Sequence, residues 1–167
     1  MLRRGAKYGR SRERLFPTNA GGKSRYSHST KRSSRQVLMT PIQMRIARPV
    51  TNLSLSSKMY CEGLGLEQIA QFSDHDGFSG VMVGRRDLGW HLEFTLCHHH
   101  PITPSPSEED LLVLYYPQIA QWHAQCEKML AAGFAQASAF NPYWNVNGKT
   151  FVDHDGYRVV LQNRSWP

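Results

Sequence analysis

Trp90 to Cys97, WHLEFTLC, combines residue types and a spacing that could do chemistry. In a strand, successive side chains point to opposite faces. Trp90, Leu92, Phe94 and Leu96 then share one face, and His91, Glu93, Thr95 and Cys97 share the other. A histidine and a carboxylate two residues apart supply hydrogen-bonding recognition, a general base, or one end of an ion pair. Two readings stay open: a solvated face, or a polar pocket that recognises a ligand. A second strand, Tyr157 to Gln162, sets Arg158, Val160 and Gln162 on one face and Tyr157, Val159 and Leu161 on the other. Arg158 could hold a carboxylate or phosphate in a bidentate grip, or be surface charge.

His98-His99-His100, with Cys97 and His91 close by, invites a zinc reading. Consecutive histidines in an extended segment alternate sides, so at most His98 and His100 face the same way. No second ligand cluster at zinc spacing follows, and adventitious binding on a loop is the expectation. His75 and His154, each inside an Asp-His-Asp-Gly turn, read as solvent-exposed turn residues. The chain shows no Gly-rich phosphate loop, no G-x-S-x-G elbow and no Cys–His pairing.

The elements that must position these groups follow from periodicity and turn chemistry. Strands are expected at Met44–Val50, Leu66–Phe72, Phe78–Val83, Trp90–Cys97, Leu111–Tyr116, Phe134–Phe140, Lys149–Asp153 and Tyr157–Gln162. A helix capped by Asn52 carries Leu55, Met59 and Leu64 and ends at Gly63 or Gly65. A second, begun by Pro117, carries Ile119, Trp122, Cys126, Met129 and Leu130 and ends at Gly133. Pro101, Pro104 and Pro106 make 98–109 a linker. The order is βαβββ, linker, βαβββ, in modules 44–97 and 110–167. Lys58-Met59 before Gly65-Leu66, and Lys128-Met129 before Gly133-Phe134, hint at duplication.

The net charge of +7 points at first to nucleic acid. Residues 1–43, however, hold eleven of the 20 basic residues and one of the 13 acids, so the remainder is net −3. Nucleic-acid binding would rest on the leader alone. That leader is Arg/Ser/Gly-rich and poor in large apolar groups, so it is expected to be disordered. It could be an unfolded extension before a start at Met39 or Met44, a transit peptide, or a phosphate-binding arm. Cys61, Cys97 and Cys126 read as reduced thiols of a cytoplasmic protein. No run is long enough to cross a membrane, and no apolar segment marks a secretory signal.

Two motifs carry a family resemblance. Val50-Thr51-Asn52-Leu53 followed by Met59-Tyr60 and Leu64-Gly65-Leu66 is one. Asn141-Pro142-Tyr143-Trp144, a glycine turn, Thr150-Phe151-x-Asp153, x-Asp155-Gly156 and Tyr157 before RVVLQ is the other. Together they resemble the vicinal-oxygen-chelate superfamily of glyoxalase I, bleomycin-resistance proteins and extradiol dioxygenases. The resemblance implies an α+β fold of two βαβββ modules forming an open cup, often paired in a homodimer. It also implies four metal-ligand positions, which fall here on Arg45, Glu93, Leu111 and Val160. Only Glu93 is a ligand type; Asp110 would need a one-residue slip. The expectation is therefore no catalytic metal and a small organic ligand sequestered in the cup. Arg45, Arg48, His91, Glu93, Tyr143, Trp144 and Arg158 are the candidate binding residues. Glu93 pairs with Arg45 or lines a solvated face, and Tyr143 and Trp144 wall the cavity or form a hinge cluster. The alternative is a divalent-metal lyase, isomerase or ring-cleaving dioxygenase with Glu93 as ligand or base.

Overall fold

A computed structural model describes residues 43–166. The expected leader, apart from Gln43, lies outside the described residues. The chain folds as α+β, in two modules of the same build. The first comprises β1 (Met44–Pro49), α1 (Leu53–Leu64), β2 (Glu67–His75), β3 (Phe78–Gly84) and β4 (Trp90–Cys97). The second comprises β5 (Leu111–Tyr115), α2 (Ile119–Ala131), β6 (Ala135–Ala137), α3 (Tyr143–Val146), β7 (Gly148–Val152) and β8 (Arg158–Gln162). The sheets are ordered β1-β4-β3-β2 and β5-β8-β7-β6. In each, the first strand runs parallel to the fourth and the other neighbours are antiparallel.

Local chemistry sets the boundaries. Asn52 Oδ1 accepts from Leu55 N at 3.0 Å and opens α1. Gly65 closes it at φ 66°, a left-handed conformation that glycine adopts without strain. Pro49 lacks an N–H and ends an edge strand, where that donor is dispensable. Two differences from the sequence expectation stand out. The sixth strand covers only Ala135–Ala137, not Phe134–Phe140, and a short helix, α3, takes up Tyr143–Val146. Phe134 is instead buried in the turn after α2 and packs on the Tyr60 ring of α1, centroids 5.2 Å apart.

One core spans both modules. It lies between the helices and the sheet faces turned toward them, and includes Tyr60, Leu92 and Phe94 of the first module and Met129, Phe151 and Leu161 of the second. Gly63 lets the two come close: a Cβ there would lie 2.9 Å from the Phe134 ring. Each sheet keeps its other face turned away from the helices. These two outer faces differ.

Candidate ligand-binding site

On the outer face of the first sheet, strand register places Arg45 beside His91 and Ala47 beside Glu93. Arg45 Nε donates to His91 Nε2 at 3.0 Å, and Arg45 Nη1 donates to Glu93 Oε2 at 3.2 Å. Since Arg45 can only donate, His91 Nε2 is the acceptor of this bond. The Gln43 amide nitrogen lies 3.1 Å from His91 Nδ1. The Glu93 side chain is 11% exposed and that of Arg45 is 52% exposed. The arginine thus roofs the carboxylate and shows the rest of its fork to solvent. Among the described residues it spends two of about five N–H donors on these partners.

Arg48 belongs to a different place. It alternates with Arg45 along β1, so it points to the helix side, where it is buried. Arg48 Nη1 donates to Tyr60 Oη at 3.2 Å, and the guanidinium lies over the Tyr157 ring, 4.6 Å from its centroid. Tyr60 donates to Asp153 Oδ2 at 3.0 Å, and Asp153 Oδ1 accepts from the backbone N–H groups of Asp155 and Tyr157 at 2.9 Å. Tyr157 donates to Pro49 O at 2.9 Å. Burial, then the Asp153 charge, push the Tyr60 phenol far above its ordinary pKa, with Arg48 opposing. Burial likewise raises Tyr157, again against Arg48. This buried Arg–Tyr–Asp chain joins the modules. Sequence reading singled out Asp153 only as part of a motif; its spacing to Asp155 and Gly156 marks a turn, and no local signal names Tyr60 as its partner.

The neighbouring turn leaves His154 an exposed turn residue, as expected, while its ring reaches the first module. The His154 ring is 2.9 Å from Ser56 Oγ on α1 and faces Asp155, so it sits in the seam between modules. Thr51 N donates to the same aspartate at 3.0 Å, which draws the turn onto the first module. His75 likewise stands in solvent.

The remaining candidates lie on the second module. Arg158 pairs with Glu108 of the linker. Tyr143 and Trp144 open α3, their rings 4.9 Å apart and edge-to-face, with Tyr143 half exposed. The segment 138–146 leaves the β6 edge, meets Glu109 through Asn141 N at 3.3 Å beside the β5 edge, and returns to β7. It therefore crosses the outer face of the second sheet. A Cβ on Gly148 would meet both the Gln162 amide and the Trp144 carbonyl, which fixes α3 on that face. Beneath this cover Val160 and Thr150 are fully buried.

These placements bear on the four family ligand positions. Glu93 faces Arg45, Val160 is sealed under the 138–146 segment, and Leu111 lines a groove of about 500 Å3 with Ile46, Ala47 and Pro49. Asp110, the slipped alternative, accepts from Ser107 N at 2.6 Å, a bond that holds its carboxyl below the usual range. A guanidinium and two hydrocarbon side chains cannot ligate a cation, so this donor set does not fit a family metal. No three His, Cys, Asp or Glu side chains gather as metal ligands among the described residues. His98 is instead 2.8 Å from Ser79 Oγ.

This pair of βαβββ modules is the fold of the vicinal-oxygen-chelate superfamily, and glyoxalase I shares it. Residues 44–95 match the YycE-like N-terminal domain and residues 109–163 the YycE-like C-terminal domain, and the chain belongs to the YycE-like family. The uncharacterized protein YycE of Bacillus subtilis is 40% identical over 121 residues, covering 72% of this chain and 87% of the relative. A Bacillus subtilis YycE crystal structure superposes with a TM-score of 0.70 at 38% identity, over 76% of this chain and 93% of that one. Glyoxalase I from Zea mays (TM-score 0.55, 22% identity, 72% of this chain and 45% of that one) shares the fold. So does TnmS3, an antibiotic-binding protein from Streptomyces (TM-score 0.53, 19% identity, 75% and 96%).

Proposed function

We propose that the protein sequesters a small organic anion on the outer face of the first sheet, with Arg45 as the anion-holding group and without a catalytic metal. The observation that carries this is the Arg45 fork. Two bonds to His91 and Glu93 fix its plane, and its half-exposed remainder presents further N–H donors in a geometry suited to a carboxylate or phosphonate. Pre-orientation lowers the entropy cost of capturing a ligand. His91 and Glu93 are positioning residues in this reading. Arg48, Tyr143, Trp144 and Arg158 have other work. No bond is made or broken.

The superfamily relatives support the reading at the level of class: one is named as antibiotic-binding, and YycE is grouped with glyoxalase and fosfomycin resistance proteins. The free cysteines are in keeping with a reducing cytoplasm. No helix among the described residues is long and apolar enough to cross a membrane. Pairing into a homodimer belongs to the same proposal. A metal-dependent lyase, isomerase or dioxygenase would need Glu93 to leave Arg45 and ligands other than Leu111 and Val160, and nothing in the geometry favours it.

The test uses the full chain. Calorimetric titration with phenylphosphonate should give saturable binding that weakens at least about tenfold in Arg45→Ala. Elemental analysis after incubation with divalent metals and desalting should find no stoichiometric ion. One tightly held metal per chain, or binding indifferent to Arg45→Ala, would sink the proposal.

A further inference from the structure

The outer face that carries Arg45 does not end at Glu93. Thr95 and Cys97 share strand parity with Glu93, Pro49 lies opposite Thr95, and Phe78 lies opposite Cys97. Linker residues Pro101 to Thr103 close over this end and leave a pocket of about 220 Å3. Its walls are mainly apolar, from Pro49, Phe78, Leu96 and Ile102. Phe78 and Ile102 are 40% and 56% exposed, so two large apolar side chains stand at the rim without cover.

Size and spacing limit what fits. About 150 Å3 is enough for a benzene ring, whereas whole drug-sized ligands take roughly 300–1,000 Å3. The pocket therefore accepts one ring or a short branched alkyl group. Thr95 and Cys97 lie two and four residues beyond Glu93, about 7 to 13 Å along the strand.

We propose that the ligand is a two-ended organic acid: its carboxylate or phosphonate rests on Arg45, and an aryl or branched-alkyl end group, three or four methylenes away, enters the pocket beneath Ile102. This rests on the anion reading of Arg45 and adds the ligand's length and its apolar terminus. The acid fixes orientation through charge-assisted bonds; the end group supplies affinity by burying apolar area.

The experiment is a titration of the full chain with phenylacetate, 3-phenylpropionate, 4-phenylbutyrate and 5-phenylvalerate, repeated for Arg45→Ala and Ile102→Asp. Ile102 is exposed and outside any regular element, so its substitution leaves folding intact. Affinity should rise about fourfold per methylene until the ring seats, then level off. Arg45→Ala should weaken every acid by one common factor, and Ile102→Asp should flatten the length dependence. If Arg45→Ala weakens all four but affinity ignores chain length or the Ile102 change, the pocket proposal fails and the anion reading stands. If Arg45→Ala has no effect, or no acid binds, both fail.

Discussion

The two modules share one strand order and one helix position, yet their outer sheet faces have opposite fates. In the first, β2 turns directly into β3 at Asp76-Gly77, and nothing between those strands crosses the face. Arg45, His91 and Glu93 remain there as a polar cluster at the solvent boundary. In the second, the chain between β6 and β7 is ten residues long and folds over the sheet. Val113 and Val160 stand where the first module has Ala47 and Glu93. The lesson is that a duplicated fold frees one copy. The face sealed by its own connection buries Val160 with the neutral polar side chains Thr150 and Gln162, and its one charge, Arg158, is paired with Glu108. A face left open can keep a carboxylate under an arginine.

Exchanging the equivalent residues should break the symmetry unequally. Val160→Glu puts a carboxylate under the 138–146 cover, where the nearest arginine on that face, Arg158, is already paired with Glu108, and should destabilise by about 4 kcal/mol or more in chemical denaturation. The reverse exchange, Glu93→Val, removes a charge from a half-open site and leaves Arg45 free to hydrate; a cost below about 1 kcal/mol is expected. Equal costs would mean that the two faces are not different environments.

A smaller effect tests what holds the two faces in one body. Tyr60→Phe deletes the link between Arg48 and Asp153 and should cost about 1–2 kcal/mol. It also has a pH signature. The folded-state pKa of Tyr60 is raised above its ordinary value of 10, so its protonated form contributes fully below pH 10. That contribution is lost as pH rises beyond 10, where the unfolded chain ionises and Tyr60 resists. The alkaline fall in stability should be shallower in Tyr60→Phe, and still present, because Tyr116 and Tyr157 are also raised by burial.

The smallest effect concerns the cover itself. Glu109→Ala removes one exposed hydrogen bond to Asn141 N and should change global stability by no more than about 0.5 kcal/mol. Amide exchange should quicken over 138–146 and stay unchanged in β7 and β8. Unaltered exchange in that segment would show that apolar packing alone holds it down.

Sequence by itself determined the βαβββ order, both long helices, the first with its Asn52 cap and an end at Gly63 or Gly65, and the alternation that sets His91 and Glu93 against Leu92 and Phe94. These follow from local signals: period, caps and turn residues act within a few positions. Tertiary structure alone decided which side of β1 meets the helices, so that Arg48 is buried against Tyr60 and Tyr157 while Arg45 faces outward. It also decided that the exposed His154 reaches Ser56 across the seam, and that 138–146 folds back as a cover instead of extending a strand. Each depends on a partner roughly 30 to 110 residues distant in the chain, and a contact of that range leaves no periodicity to read.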